Sequence, residues 1–209
     1  MQIRTVIFAT GNPGKMREVR EILSDLDARV MSMREAEAFC EPEETGTTFE
    51  ENALIKARAV AEKARGLWPG LLVLADDSGL EVDYLHKKPG VYSARWMGED
   101  TSYRLKNAAI VGLLEGVPDE ERTARFVSAI AAVFPDGTEA VVREAVEGII
   151  GYEERGENGF GYDPIFYLPE LGKTSAEIPM EEKNKISHRG KALRRMEEVI
   201  RAYENRHRQ

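Results

Sequence analysis

The apolar positions along the chain change period several times. Residues 3–9 (IRTVIFA) form a β-branched, apolar run closed by Thr10-Gly11-Asn12-Pro13-Gly14, which reads as a buried strand and a tight loop. Met16, Val19, Ile22, Leu23 and Leu26 then recur at helical spacing, and residues 29–33 form a second strand-like run. A helix is predicted from Phe49 to about Arg65, with Phe49, Ala53, Ala57, Val60 and Ala64 on one stripe. Residues 71–75 (LLVLA) predict a short buried strand ending on the acidic turn Asp76-Asp77-Ser78-Gly79, with another strand at 80–85. Residues 101–115 look helical. Two strand-like runs, Arg122–Phe134 and Thr138–Val146, flank the hairpin signal Pro135-Asp136-Gly137. A glycine-rich loop spans 156–163. The last helix is predicted from about Arg189 to Asn205, with Leu193, Met196, Ile200 and Tyr203 inward. Strand–helix alternation followed by a hairpin predicts an α/β protein with a mixed sheet. One domain over 1–209 is expected, with residues 206–209 as a frayed tail.

Composition narrows the functions open to such a fold. The chain has 209 residues, 42% of them hydrophobic and 32% charged, which suits a folded globular protein. A net charge of -8 disfavours gripping a nucleic-acid polymer, which calls for a basic surface. A single cysteine, Cys40, fits a reducing compartment. No apolar run approaches the roughly 20 residues needed to span a bilayer, and the first residues lack a secretory apolar segment. A cytoplasmic protein without membrane partners is expected.

Four segments carry candidate chemistry. Thr10, Gly11, Asn12, Pro13, Gly14 and Lys15 join a strand to a helix, where glycines admit a phosphate and a helix N-terminus favours an anion. The spacing is not that of a P-loop, which needs four residues before Gly-Lys and then Ser or Thr. Alone, the loop reads equally well as an ordinary turn with a surface lysine. Asp76 and Asp77 follow an apolar strand, and two carboxylates there are costly unless a cation balances them. Oxygen-rich sites suit magnesium. Successive side chains of an extended segment point opposite ways, so one aspartate should face the ligand and the other brace the turn. The alternative is an Asx turn capping the strand. Glu44 is a candidate second carboxylate, whereas Glu43 reads as solvated loop. Asn52 and Lys56 share a helix face, so Lys56 either reaches phosphates or extends to solvent.

The second glycine loop, Asn158 to Pro164, alternates small residues with Phe160 and Tyr162, exposing a ring for base stacking or forming a turn over core aromatics. Lys183, His188 and Arg189 gather donors at the start of the last helix.

Taken together, Thr10–Lys15, Ala75–Leu80, Phe160–Asp163 and Lys183 with Ser187-His188-Arg189 resemble the inosine triphosphate pyrophosphatase family, the HAM1-like XTP/dITP diphosphatases. Thr48-Phe49, Glu51-Asn52-Ala53, Lys56-Ala57 and the stretch from Pro89 to Arg95 extend the likeness over nearly the whole chain. The resemblance implies a twisted mixed sheet flanked by helices, elongated, with two lobes around a deep cleft. It implies a magnesium-dependent homodimer that converts non-canonical purine triphosphates to monophosphate and pyrophosphate. By the same resemblance, Asp77 is the catalytic aspartate and a metal ligand, and Glu44 a second metal-site acid. Thr10–Lys15 hold phosphates and Ser78 touches substrate. Phe160, Gly161, Tyr162, Asp163, Lys183, His188 and Arg189 match nucleoside positions. Two other readings stay open: a Maf-like pyrophosphatase for other nucleotides, and a non-catalytic nucleotide sensor.

Overall fold

The structure, a computed structural model, describes residues 2–207. It contains one eight-stranded sheet in the order β2-β1-β3-β5-β6-β7-β8, with β4 paired on β3. The strands are β1 Thr5–Ala9, β2 Arg29–Ser32, β3 Leu71–Val82, β4 Lys88–Pro89, β5 Thr123–Val133, β6 Glu139–Ile150, β7 Phe166–Leu168 and β8 Lys173–Thr174. The helices are α1 Pro13–Ile22, α2 Phe49–Lys63, α3 Tyr103–Leu113, α4 Met180–Ile186 and α5 His188–Arg206. β1 pairs in parallel with β2 and β3, while β4, β7 and β8 pair antiparallel to their neighbours, so the sheet is mixed as predicted. The last helix runs through Arg206, and residues 208 and 209 of the predicted tail lie outside the described residues.

The chain divides into two compact units, each with its own core. Unit 1 comprises 1–77, 128–144 and 189–209, and unit 2 comprises 78–127 and 145–188. In unit 1, α1 and α5 lay Met16, Val19, Leu193, Met196 and Ile200 against Phe8, Leu72, Leu74 and Ile130 of the sheet. The stripes predicted for α2 and α5 are buried as expected, with Ala53, Ala57, Ala192 and Leu193 fully inaccessible. α2 starts on a capping box in which Thr48 accepts from the Glu51 N–H and Glu51 reaches back. In unit 2, Leu80, Val82, Ile110, Leu114, Phe126, Tyr162 and Phe166 form the second core.

The acidic segment departs from the sequence expectation. Asp76-Asp77-Ser78-Gly79 is not a turn between two strands. It lies inside β3, which runs unbroken for 12 residues. Asp and Gly are depleted in strands, which is why the segment reads as a break. Here each aspartate meets a lysine, so both are tolerated in extended backbone. The short elements β4, β7, β8 and α4 carry too little periodicity to be read from sequence.

Candidate active site

Strand alternation builds the centre of unit 1. Leu72 and Leu74 face the core beneath α1 and α5, and Asp76 continues that face. Val73, Ala75 and Asp77 alternate to the other side. Asp76 therefore meets the side chains of α1 and α5, and Asp77 meets α2.

The two carboxylates differ in how fully they are bonded. Asp76 is 2% exposed and bonded through both oxygens. Its Oδ1 accepts from the Ser128 hydroxyl at 2.7 Å, and its Oδ2 takes the Lys15 ammonium at 2.7 Å and Arg189 Nε at 3.2 Å. Arg189 also pairs with Glu18 of α1. Burial opposes ionisation of Asp76, but Lys15 and Arg189 outweigh it and hold the carboxyl well below its ordinary range. Burial lowers the Lys15 pKa despite the Asp76 charge, so its proton is held less firmly than usual.

Asp77 is also buried, at 6% exposure, but only half of it is bonded. Its Oδ1 accepts from Lys56 Nζ at 2.8 Å, while Oδ2 has no partner among the described residues. Burial pushes the Asp77 carboxyl above its ordinary 3.8, and Lys56 only partly offsets this. Lys56 Nζ also lies 3.0 Å from Glu44, so one ammonium holds two carboxylates. Burial pulls the Lys56 pKa down, but Asp77 and Glu44 outweigh it and raise it. Glu43 is exposed and Glu44 half-buried, which separates them as the sequence suggested.

The first glycine loop is preorganised by its own side chains. Asn12 caps α1, accepting from Gly14 N at 2.8 Å and Lys15 N at 3.2 Å, and Pro13 fills the first helical turn. Thr10 Oγ1 accepts from Asn12 N at 3.1 Å. A Cβ at Gly11 would meet nothing within 4 Å, so packing among the described residues does not demand glycine there. That leaves room for a ligand against the backbone.

Unit 2 contains the remaining candidates. Lys183 pairs with Asp163 Oδ2 at 2.6 Å, and the same oxygen accepts from Phe160 N at 2.8 Å. Lys183 Nζ also lies 5.3 Å from the centre of the half-buried Phe160 ring. Gly159 must be glycine: its φ is +75°, and a Cβ would sit 2.2 Å from Asp163 Oδ2. Tyr162 is a core residue. Its ring is 3% exposed, its hydroxyl donates to Ser93 O at 2.8 Å, and Tyr103 meets it edge-on. Only its backbone remains for a ligand. His188 stacks on Phe126 with centroids 4.9 Å apart. Ser78 is half-buried in unit 2.

The structure thus brings Lys15, Lys56, Asp77, Glu44 and Arg189 together in unit 1, and Phe160, Gly161, Asp163, Lys183 and His188 into unit 2. Glu18 and Ser128, which help fix Asp76 and Arg189, have no sequence signature, because their partners lie 171 and 52 positions away. No helix among the described residues is long and apolar enough to cross a membrane.

Known proteins are similar to this chain over most of its length. A dITP/XTP pyrophosphatase of Desulforamulus reducens is 49% identical over 195 residues, covering 93% of this chain and 94% of that protein. One from Caldanaerobacter subterraneus subsp. tengcongensis is 48% identical, covering 93% and 95%. The solved HAM1 protein of Coxiella burnetii superposes with a TM-score of 0.84 at 39% identity, covering 96% of this chain and all of the other. The Staphylococcus aureus Ham1 protein gives 0.83 at 38%, with the same coverage. Residues 6–199 match the Ham1 family, and with relatives this similar over this much of the chain, the protein belongs to that family.

Proposed function

We propose that this protein is a nucleoside triphosphate pyrophosphatase that hydrolyses ITP, dITP and XTP to the monophosphate and pyrophosphate, removing them from the nucleotide pool. The names of its relatives, dITP/XTP pyrophosphatase, support the substrate class. The observation that carries the chemistry is the half-bonded Asp77. A buried carboxylate oxygen without a partner among the described residues, beside Glu44 and Lys56, is a donor suited to a hard cation or an attacking water.

Magnesium fits this donor set. No three His, Cys, Asp or Glu side chains among the described residues form a metal cage, and magnesium needs none. It takes one or two carboxylates and completes its shell with water and substrate phosphates. Asp77 and Glu44 would hold it. When bound, the ion supplies charge neutralisation on the phosphate chain.

The chain's own groups do the rest. Asp77, its proton affinity raised by burial, orients and deprotonates the water that attacks the α-phosphorus. The phosphoanhydride bond to the β-phosphate breaks and pyrophosphate leaves. Lys15 spends one donor on Asp76 and keeps others for the phosphates, and Lys56 stands on the Asp77 side. Phe160 stacks on the base, with its loop braced by Asp163 and Lys183. His188, held flat on Phe126, donates to a 6-keto oxygen. An adenine amino group there would leave donors facing donors, which disfavours ATP by about 10⁴-fold or more. Arg189, bound to Asp76 through Nε and to Glu18 through Nη1, fixes Asp76 and, through it, Lys15. The protein acts as a homodimer. Unit 2 carries exposed Tyr84, Tyr92, Leu105 and Leu113, the apolar surface that a partner covers.

Incubation with ITP, XTP, dITP, ATP, GTP and dTTP in magnesium, followed by phosphorus NMR of the products, tests the reading. Pyrophosphate from ITP, XTP and dITP is expected. Orthophosphate would mean that another bond is cut, dTTP turnover would favour a Maf-like enzyme, and no turnover would favour a sensor.

A further inference from the structure

We infer that Asn52 is a positioning residue for Glu44, acting through the backbone of Gly46. The inference rests on the reading of Glu44 and Asp77 as metal ligands. Asn52 is completely buried in the first half of α2. Its Oδ1 accepts from Gly46 N at 2.8 Å. Its Nδ2 is buried with no partner among the described residues, so the amide is a poor core filler and its bond to Gly46 is the interaction that explains it.

Gly46 is shaped for this contact. A Cβ there would lie 2.6 Å from Asn52 Oδ1 and 2.7 Å from Glu51 Cβ, so a side chain would force the acidic loop off the helix. The next residues are tied to the same turn, with Glu51 accepting from Thr47 N and Thr47 Oγ1 at 2.7 and 3.0 Å. Glu44 precedes Gly46 by two residues, in a stretch without regular structure. One helical turn beyond Asn52, Lys56 holds the Glu44 carboxylate at 3.0 Å. α2 therefore grips the loop twice, by backbone at Asn52 and by side chain at Lys56. The first grip removes the backbone freedom that would otherwise oppose ordering Glu44 on a cation.

Binding of Mn²⁺ alone, without nucleotide, read by electron paramagnetic resonance, tests this, with the melting temperature reporting the fold. Asn52→Ala should weaken Mn²⁺ binding about tenfold, the loss usual when a ligand's supporting contact is removed. In a Glu44→Gln background the same change should add little, because both act through one carboxylate. Asn52→Asp, which keeps an acceptor for Gly46 N, should restore binding over Asn52→Ala. If Asn52→Ala does not fold, Asn52→Gln carries the same test, since it keeps the amide but displaces it by one methylene. Unchanged affinity in the Asn52 variants beside a weakened Glu44→Gln overturns the positioning role alone, as does a full additive loss in the double variant. Unchanged affinity in Glu44→Gln itself overturns the metal reading and the inference with it.

Discussion

Asp76 and Asp77 are neighbours in one strand, yet the two faces of that strand treat them differently. On the Asp76 face, a lysine, an arginine and a serine use both oxygens. On the Asp77 face, one lysine bonds a single oxygen and the other has no partner among the described residues. A carboxylate bonded through both oxygens is held in place, whereas an equally buried one with an oxygen that no described residue bonds keeps an acceptor for a further group. The pKa directions follow the same division. Asp76 is held well below its ordinary value by Lys15 and Arg189 against the effect of burial, and Asp77 is raised above it by burial that Lys56 does not cancel. The order of the sequence does not distinguish them; the number of cations reaching each face does.

The sharpest way to break this comparison is to exchange the roles. Asp77→Asn should lower turnover of ITP by about 10³-fold or more, since under the proposed function it removes both the base and a metal ligand. Its melting temperature should stay level or rise, because an ionised group is removed from a half-bonded buried position. Near-normal turnover would exclude Asp77 from the chemistry. Asp76→Ala should act on the fold instead. It removes the carboxylate that the half-buried Lys15 pairs with and leaves the buried Arg189 with Glu18, and breaking a buried ion-pair network costs about 3–5 kcal/mol. Urea denaturation measures this, and a change below about 1 kcal/mol would mean that Asp76 is not the anchor.

Lys56→Met should lower kcat/KM by a smaller factor, about 10²-fold, the size of one positioned charge-stabilising donor. It also removes the charge that restrains the Asp77 pKa, so the acidic limb of the pH–rate profile should move to higher pH. An unmoved limb would separate Lys56 from Asp77. The smallest effect is the pH dependence of stability, where the two aspartates have opposite signs. Asp76, depressed in the folded state, adds stability above pH 3.8 that is lost as pH falls through its folded value. Asp77, raised in the folded state, adds stability below pH 3.8 that is lost as pH rises through its folded value. The wild-type advantage over Asp76→Asn should therefore grow on leaving acid, while that over Asp77→Asn should shrink. Parallel curves for the two variants would remove the distinction.

Much of this was legible in the chain. The helical stripe from Phe49 to Ala64 and that from Leu193 to Tyr203 follow directly from the 3.6-residue period, because burying an amphipathic face is a local instruction. The 135–137 hairpin and the α/β alternation were equally legible. So was the prediction that adjacent aspartates diverge, since a period of two allows nothing else.

Other features needed the tertiary structure. Asp76-Asp77-Ser78-Gly79 reads as a turn because its residue types avoid strands. It is strand because lysines from two helices neutralise the carboxylates, and those helices are brought there by packing. Arg189 reads as a free donor beside His188, but Glu18 and Asp76 engage it from 171 and 113 positions away. The sequence left the rings of the second glycine loop either displayed or in the core, and for Tyr162 the unit 2 core decides it. Sequence by itself determined which surfaces are buried and which residue types could meet a phosphate and a metal, because periodicity and chemistry are properties of neighbouring residues. Only the tertiary structure decided how many partners each charge has, because partner number depends on residues far apart in the chain, and that number separates Asp76, bonded through both oxygens, from Asp77, bonded through one among the described residues.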